Sequence, residues 1–310
     1  MFKASPLPAL VWEDLKRDPL VLIDVGASGG LRSLWRPLRP CLLRVGIEPD
    51  PMAFQKLQAE KEYSLLFPVA LSDKTGSADF YLTRTKGRSS LLRPNHRIID
   101  KFYDSAQFEV VDTVSVPIST LDALLDAHQV KADFLKIDTQ GTAWEVLRGG
   151  EASTLPSALG VEIETEFLPR YEGQVLFEDV HRLLTRNGFA LFGLQPRFFT
   201  RTAGRQYGWQ WGQPLYTYAL YFRELGPGAK KITVTKLVAL AWLYGHLDYA
   251  AEVFAASRHL FSPDEAAAFE TDLVGTIPFH RRLRIPGRYQ LATWFWQFWR
   301  RWVIRLQWRT

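Results

Sequence analysis

Two short apolar runs, each ending in an acid and glycine, constrain the fold of this chain more than any other feature. Residues 22–30 read Leu-Ile-Asp-Val-Gly-Ala-Ser-Gly-Gly, and residues 134–141 read Phe-Leu-Lys-Ile-Asp-Thr-Gln-Gly. A buried strand that stops at glycines can turn sharply, and its backbone can approach a ligand closely. Together the two segments predict buried strands beside a nucleotide-type cofactor and a reaction site.

A carboxylate follows the first glycine turn at the spacing of a ribose-binding residue. About 20 residues further on, the apolar run 42–47 ends in Glu48, whose carboxylate can accept hydrogen bonds from both hydroxyls of a ribose. The turn reads G-x-x-G-G, so the central glycine expected beneath a pyrophosphate is replaced by Ala27-Ser28. This departure favours S-adenosylmethionine over a nicotinamide dinucleotide. The alternative is that the glycines serve only tight packing of a strand on a helix.

Composition places the chain among globular proteins. With 310 residues and 47% hydrophobic content, it can bury a full α/β core and still carry an appendage. Cys41 is the single cysteine, which excludes an internal disulfide framework, and residues 1–14 lack the apolar core of a signal peptide. No uncharged apolar stretch reaches the roughly 18 residues of a spanning helix. We therefore expect a cytoplasmic protein.

Strands and helical stretches alternate along the chain, which predicts an α/β fold with a parallel sheet and helices on both faces. The predicted strands are 21–25, 43–47, 66–71, 134–138, 160–165, 188–193 and 216–223. One helix is predicted after Pro51, and another is predicted to begin at a Ser119 cap with Asp122 three positions later. Residues 226–228, Gly-Pro-Gly, indicate a break before helices at 236–244 and 263–273.

The segment 136–141, Lys-Ile-Asp-Thr-Gln-Gly, followed by 145–150, Glu-Val-Leu-Arg-Gly-Gly, resembles the hallmark of FkbM-type S-adenosylmethionine-dependent methyltransferases. Further matches follow the family's order: Ile47-Glu48-Pro49-Asp50-Pro51, Val69-Ala70-Leu71-Ser72-Asp73, Ser89-Ser90, Ser119-Thr120-Leu121-Asp122, Glu164 with Tyr171 and Gly173, and Gly188-Phe189. The resemblance covers about residues 20–223 and, with several ordered motifs, is far more specific than one motif alone.

The resemblance implies a Rossmann-like, seven-stranded methyltransferase sheet and methyl transfer, usually to a hydroxyl of a sugar or another secondary metabolite. We accordingly divide the chain into a lead-in (1–19), a methyltransferase domain (20–225) and a helical, basic extension (226–310). Many family members have an acid just after the hallmark glycine, where this chain has Thr142-Ala143-Trp144. No catalytic role is therefore transferred to that position.

The glycine turn, the ribose carboxylate and the matched motifs give a set of candidate cofactor-binding residues. These are Asp24, Gly26, Ala27, Gly29, Glu48, Ser72, Asp73 and Asp138.

Asp138 is the leading catalytic candidate, because the carboxyl end of its strand is expected beside that of the first strand, where open α/β sheets bind ligands. It could act as a general base or orient the acceptor, and the alternatives are capping the turn or holding the methionine part of the cofactor. Glu164 is the second candidate. Alternation places Glu162, Glu164 and Glu166 on one strand face, with a solvated edge as the alternative. A divalent ion could bind there, but the spacing does not predict a metal site.

A basic loop at residues 84–97 is expected to hold or cover the acceptor. Arg88, Ser89 and Ser90, together with Gln140, are the candidate substrate-binding residues, and the arginines favour an anionic acceptor. His96 is a further candidate base, with an ordinary surface histidine as the alternative.

The C-terminal residues form the second unusual feature of the sequence. After Asp272 there are eight arginines and no acid. At helical spacing, residues 291–306 have an apolar, tryptophan-rich face opposite a basic one, as in helices that lie in an anionic membrane surface. The candidate contact residues are Trp296, Trp299, Arg301, Trp302 and Arg305. The alternative is packing on the catalytic domain or on a second subunit, and nucleic-acid binding is not predicted.

Two classes of function follow. The first is an O-methyltransferase that acts on a saccharide or lipid-linked glycan, at the cytoplasmic membrane face. The second is a non-catalytic scaffold or assembly protein that kept the fold and binds a membrane or a protein complex through its C-terminal helix.

Overall fold

Strands and helices alternate along the protein in a computed structural model that describes residues 7–205, 207–208 and 212–276. The strands are β1 (Leu20–Val25), β2 (Leu42–Ile47), β3 (Leu65–Phe67), β4 (Ala70–Leu71), β5 (Gly76–Thr83), β6 (Val110–Ser119), β7 (Phe134–Ile137), β8 (Gly160–Glu166), β9 (Phe189–Phe199) and β10 (Gln213–Arg223). The helices are α1 (Ala9–Arg17), α2 (Pro51–Glu60), α3 (His96–Ile99), α4 (Leu121–Ala127), α5 (Ala143–Arg148), α6 (Thr154–Ser157), α7 (Phe177–Arg186), α8 (Thr202–Arg205), α9 (Lys231–Leu243), α10 (Leu247–Ala256) and α11 (Pro263–Thr276).

Seven strands form the central sheet, in the order β3-β2-β1-β7-β8-β10-β9. The pairs from β3 to β8 are parallel, whereas β10 is antiparallel to both of its neighbours. The strand order reverses between β1 and β7, and such a switch point leaves a crevice at the carboxyl ends of the strands. The prediction of a seven-stranded Rossmann-like sheet is confirmed.

A second, three-stranded sheet, in the order β4-β6-β5, lies between β3 and β7 in the chain. The single strand predicted at 66–71 is wrong, because the chain leaves the central sheet after Phe67 and enters the small sheet at Ala70. Pro68, which lacks a backbone N–H, stands at the break. The small sheet has its own apolar cluster, in which Phe80 and Val116 are buried.

The start of α4 differs by one residue from the prediction. Thr120, not Ser119, caps the helix, and its hydroxyl accepts a hydrogen bond from the N–H of Ala123 at 3.1 Å. Ser119 instead ends β6. Asp122 does not complete a capping box, since its carboxylate accepts hydrogen bonds from the N–H groups of residues 152–154.

The C-terminal helices pack on the central sheet rather than standing apart from it. Apolar residues of α9 share one buried cluster with Leu22, Phe134 and Phe222 of the sheet. At the far end of the sheet from the crevice, Lys236 Nζ lies 2.8 Å from an Asp18 carboxylate oxygen and 2.9 Å from one of Asp133. The predicted helices at 236–244 and 263–273 are confirmed, although α9 begins earlier. None of the described helices has the length and apolar character needed to cross a membrane.

Candidate active site

A cavity of about 420 Å³ opens at the carboxyl ends of β1, β2, β7 and β8, between the central sheet and the small sheet. Its volume lies within the range of about 300–1,000 Å³ that is typical of small-molecule sites. The lining combines the two glycine-containing segments with acids, aromatic rings and four cationic side chains: Gly26, Gly29, Arg32, Glu48, Asp50, Phe80, Lys86, Arg88, Ser89, Lys136, Asp138, Thr139, Gln140, Glu164, Tyr216 and Tyr218 among them.

The two glycine-containing segments, residues 22–30 and 134–141, touch at Gly26. Its φ is +76°, and a Cβ added there would lie 2.0 Å from the carbonyl oxygen of Asp138. The N–H of Asp138 donates to the carbonyl of Val25 at 2.9 Å, which ties the two strand ends together. Gly29 differs, because a Cβ added there would meet no atom within 4 Å. Gly26 is therefore required by the fold, whereas Gly29 keeps open space at the cavity.

Asp24 stabilises the glycine turn after β1 through Lys136. It is buried, its Oδ2 accepts a hydrogen bond from the Tyr63 hydroxyl at 2.6 Å, and its Oδ1 lies 3.0 Å from Lys136 Nζ. Lys136 also donates to the carbonyl of Gly26 at 3.1 Å. Although burial opposes its charge, the carboxylates of Asp24 and Asp138 raise the pKa of Lys136. Asp24 and Ala27 do not line the cavity, so their contacts support the turn.

Glu48, which follows β2, lines the cavity while only 4% of its surface is exposed. Its Oε1 accepts a hydrogen bond from the N–H of Asp50 at 2.9 Å, and burial raises its pKa to about 7. Asp50 in turn caps α2, accepting from the N–H groups of Met52 at 2.8 Å and Ala53 at 3.0 Å. The local structure therefore holds Glu48 as a buried carboxylate. Additional hydrogen-bond donors, such as ribose hydroxyls, would stabilise its charged form.

Gln140 joins the two predicted catalytic carboxyl groups. It has a φ of +52° in the turn after β7, and its Nε2 donates to Asp138 Oδ1 at 2.8 Å and to Glu164 Oε1 at 2.9 Å. The Tyr171 hydroxyl lies 3.2 Å from Gln140 Oε1, which orients the amide. The structure thus brings together the three polar residues that the sequence places at the ends of β7 and β8.

Glu164 is buried, and its Oε1 also accepts a hydrogen bond from Arg170 Nη2 at 2.8 Å. Burial, together with the negative charge of Asp138, raises the pKa of Glu164 to about 8. The hydroxyl of Tyr218 lies 3.4 Å from Asp138 Oδ2, and burial raises its pKa, so that it remains a neutral hydrogen-bond donor. These groups form an acid, amide and phenol cluster that we call the β7/β8 cluster: Asp138, Gln140, Glu164 and Tyr218.

The other two acids of β8 are also buried, so the solvated-edge alternative is wrong. Glu162 pairs with Arg32 and accepts a hydrogen bond from the Tyr244 hydroxyl at 2.9 Å. Glu166 lies 2.8 Å from Arg170 Nη2. Within the described residues, no group of three or more histidine, cysteine or acidic side chains is arranged to hold a metal ion.

The basic loop lies over the turn that carries Gln140. Ser90 Oγ donates to the Gln140 carbonyl at 2.7 Å, and Ser89 Oγ accepts from the N–H of Thr83 at 3.1 Å. Ser89 and Arg88 line the cavity, whereas Ser90 does not. The guanidinium of Arg88 lies over the Phe108 ring at 5.4 Å. This loop is therefore attached to the β7/β8 cluster by Ser90 and presents Arg88 to the cavity.

Besides Asp24, Ala27 and Ser90, three further predicted residues lie outside the cavity lining: Ser72, Asp73 and His96. His96 is exposed on α3 and pairs with Asp100 at 3.0 Å, so it does not join the β7/β8 cluster. Ser72 is buried, with its hydroxyl 3.2 Å from a carboxylate oxygen of the exposed Asp73. The predicted tail contacts, Trp296, Trp299, Arg301, Trp302 and Arg305, lie outside the described residues.

Sequence reasoning missed several lining residues, above all Tyr216 and Tyr218. Both lie in the predicted strand 216–223, and their alternate spacing places them on one face. The antiparallel register pairs Tyr218 with Glu164 and Tyr216 with Glu166. The alternation in the sequence could have shown that the two tyrosines share one face of the strand. Only the sheet order shows that this strand lies beside β8, next to its acids.

The lining fits the cofactor expected from the sequence. Glu48 supplies acceptors for a ribose diol, and Val69, Leu71 and Phe80 supply apolar surface for a planar base. The space beside Gly29 would be filled by any larger side chain, which matches close approach of a ligand to this turn. Glu48, Asp50, Gly26 and Gly29 are therefore the residues that would hold S-adenosylmethionine at its ribose and along the glycine turn.

Comparisons with solved structures find several methyltransferases with low similarity to this chain. A precorrin-6y C5,15-methyltransferase from Geobacter metallireducens is 9% identical, with a TM-score of 0.34, over 72% of this chain and 92% of its own. The N-terminal domain of EvdMO1 with S-adenosylhomocysteine bound is 9% identical, with a TM-score of 0.33, over 69% of this chain and 78% of its own. A 16S rRNA (adenine(1408)-N(1))-methyltransferase variant from Catenulisporales acidiphilia is 14% identical, with a TM-score of 0.31, over 73% of this chain and 95% of its own. No curated protein is similar enough to be matched.

The family comparison covers the part of the chain that builds the cavity. The model of the methyltransferase FkbM domain matches residues 24–191, just over half of the chain, and this range contains the glycine turn, the hallmark residues 136–150 and the whole basic loop. The resemblance identified in the sequence is confirmed. The chain belongs to the FkbM methyltransferase domain family, and S-adenosylmethionine is its cofactor.

Proposed function

We propose that this protein transfers the methyl group of S-adenosylmethionine to a hydroxyl oxygen of a saccharide or glycan-type acceptor. The observation that carries the proposal is the β7/β8 cluster, in which two carboxyl groups, an amide and a phenol converge beside the cavity. A hydroxyl is a weak nucleophile, so its methylation requires alignment and removal of its proton as the new bond forms.

Bound in this cavity, the cofactor supplies an electrophilic methyl group. Asp138 is the proposed base, because its carboxylate faces the cavity and both of its oxygens have hydrogen-bond partners that fix their direction. Gln140 holds Asp138 and Glu164 at a constant spacing. Tyr218 donates a hydrogen bond and so orients the acceptor or the carboxylate.

Glu164 can exchange a proton near neutral pH, since its pKa is raised to about 8. A carboxyl group with such a pKa suits acid–base work at this pH better than an ordinary glutamate. Its burial and its link to Asp138 through Gln140 favour a role as the partner of Asp138, which holds a proton beside the reaction site rather than contacting solvent.

The lining of the cavity favours a polyhydroxylated acceptor. Tyr216 and Tyr218 offer aromatic faces for the C–H surface of a sugar ring, while the neighbouring carboxyl groups accept hydrogen bonds from its hydroxyls. Lys86 and Arg88 line the same cavity from the basic loop and favour an acceptor with an anionic group.

We extend the proposal to the tail on sequence grounds. Residues 286–310 would attach the enzyme to an anionic membrane surface, where a lipid-linked glycan would be presented. Sedimentation with anionic vesicles tests this extension: loss of binding on deletion of 286–310 supports it, and unchanged binding contradicts it.

The decisive test of the reaction uses Asp138→Asn and Glu164→Gln. We expect both variants to bind S-adenosylmethionine within a few-fold of the native protein and to lose at least about 100-fold in methyl transfer to a saccharide acceptor, as for removal of a general base. His96→Gln is the matched control and should leave transfer unchanged. Full activity of Asp138→Asn, or a product methylated on nitrogen or carbon, would contradict the proposal.

A further inference from the structure

Arg32 is a cavity-lining cation that the proposed chemistry does not use. It follows the glycine turn by two residues, and the preceding residue, Leu31, is buried with its N–H donating to Glu62 Oε2 at 2.8 Å. The backbone that carries Arg32 is therefore fixed. Its side chain is 42% exposed, which leaves the guanidinium accessible at the cavity.

The buried Glu162 orients Arg32, and the partly buried Tyr244 holds Glu162 in turn. Arg32 Nη1 donates to Glu162 Oε1, and the other oxygen of Glu162 accepts a hydrogen bond from the Tyr244 hydroxyl at 2.9 Å. Glu162 is only 3% exposed. Tyr244 follows α9 directly, and its ring stacks on Phe134 at 5.3 Å. A residue of the C-terminal extension, outside the matched family domain, is thus linked through Glu162 to Arg32 at the cavity.

The other cations of the lining are less suited to a ligand beside the glycine turn. Lys136 is only 13% exposed, and its ammonium already contacts Asp24 and the carbonyl of Gly26. Lys86 and Arg88 belong to the basic loop, where Arg88 lies against Phe108. Among the described residues, the hydrogen bonding of the Arg32 side chain is confined to Nη1 and Glu162, which leaves Nε and Nη2 for a ligand.

We infer that Arg32 binds the carboxylate of the amino-acid part of S-adenosylmethionine, and that Glu162 and Tyr244 position it for this contact. A carboxylate that leaves water for a partly enclosed cavity needs a cationic partner, and the planar guanidinium can bind Glu162 on one edge and a second carboxylate on the other. The inference rests on the cofactor and is independent of the acceptor.

Two ligands that differ only in this carboxylate test the contact: S-adenosylmethionine and its decarboxylated form. Their dissociation constants are measured by calorimetry on the full chain, with thermal unfolding of each variant as a check on folding. The native protein should bind S-adenosylmethionine more tightly. Arg32→Gln should weaken that binding roughly 10- to 100-fold, as expected for loss of a charge-assisted hydrogen bond, and leave the decarboxylated ligand unchanged or tighter. The affinity of Arg32→Lys for S-adenosylmethionine should lie between those of the native protein and Arg32→Gln.

Arg186→Gln is the matched control for Arg32, because Arg186 pairs with Glu151 and does not line the cavity. It should not alter the affinity ratio of the two ligands. An equal loss for both ligands in Arg32→Gln, or no loss, would overturn the assignment while leaving the cofactor itself established. Failure of the native protein to bind S-adenosylmethionine would overturn both.

Tyr244→Phe removes only the hydroxyl that holds Glu162. We expect about a 3- to 10-fold weaker affinity for S-adenosylmethionine and little change for the decarboxylated ligand, as expected for the loss of one ordinary hydrogen bond. The matched control is Tyr249→Phe, since the Tyr249 hydroxyl contacts the Arg223 carbonyl at 2.8 Å away from the cavity. If Tyr244→Phe leaves the ratio unchanged, the positioning role is wrong.

Discussion

Glu48→Gln separates binding from stability, because the two effects have opposite signs. The side chain keeps its shape and one carbonyl oxygen, which can still accept from Asp50 N–H. Burial raises the pKa of Glu48 to about 7 from the usual 4.5. At about 1.4 kcal/mol for each tenfold change in an ionisation equilibrium, this shift means that the ionised carboxylate at pH 8 destabilises the folded state relative to the unfolded chain by about 3 kcal/mol. Without ligand, the glutamine variant should therefore be more stable by up to about this amount.

Cofactor binding should change in the other direction. Replacing a charge-assisted hydrogen bond to the ribose by a neutral one removes about 1.5–3 kcal/mol, or roughly 10- to 100-fold in affinity for S-adenosylmethionine. Urea denaturation at pH 8 and calorimetry on the same preparations give the two quantities. Glu145→Gln is the matched control, because burial also raises the pKa of Glu145, but this residue lies outside the cavity. It should gain stability without losing affinity.

The reasoning would be refuted by a Glu48→Gln variant that binds S-adenosylmethionine as tightly as the native protein. A variant that loses stability and affinity together would also contradict it, since that result would make Glu48 a structural residue.

Three further predictions concern the glycines and the buried acids. Gly26→Ala should destabilise the fold by about 3 kcal/mol or more in urea denaturation, because its Cβ would lie 2.0 Å from the carbonyl of Asp138; native-like stability would show that the contact relaxes easily. Gly29→Ala should keep the stability and weaken S-adenosylmethionine binding in calorimetry, since its methyl would occupy open cavity space; unchanged affinity would place the ligand elsewhere. The folded protein holds protons on Glu48 and Glu164 that the unfolded chain has released. The stability that the two protonated groups contribute is complete below about pH 4.5, and it is lost as the pH rises through about 7 for Glu48 and about 8 for Glu164. The double variant Glu48→Gln, Glu164→Gln should therefore gain stability over the native protein from pH 5 to 8, and a constant difference across that range would contradict the assignment.

The local parts of the fold could be predicted from the sequence. Apolar runs that end in glycine and an acid identified β1, β2 and β7, because a buried strand and its turn are encoded within a few residues. The start of α2 was readable for the same reason, from Asp50 and Pro51. Where the prediction was wrong, at 66–71 and at Ser119, a single proline or a one-residue change of cap decided the outcome.

The long-range parts of the site could not be predicted in this way. Tyr218 reaches Glu164 through the antiparallel register of β10, and Tyr244 reaches Glu162 through the packing of α9 on the sheet. Neither contact leaves a local sequence signal, since each joins residues separated by more than fifty positions. The burial of Glu162 and Glu166 likewise depends on Arg32 and Arg170, which come from loops.

The most direct test of the central claim is a crystal structure of the protein with S-adenosylhomocysteine. The account predicts both ribose hydroxyls within hydrogen-bond distance of the Glu48 carboxylate, and the sulfur on the side of Asp138 and Glu164. A ligand bound with its ribose away from Glu48, or with its sulfur turned from the β7/β8 cluster, would contradict it.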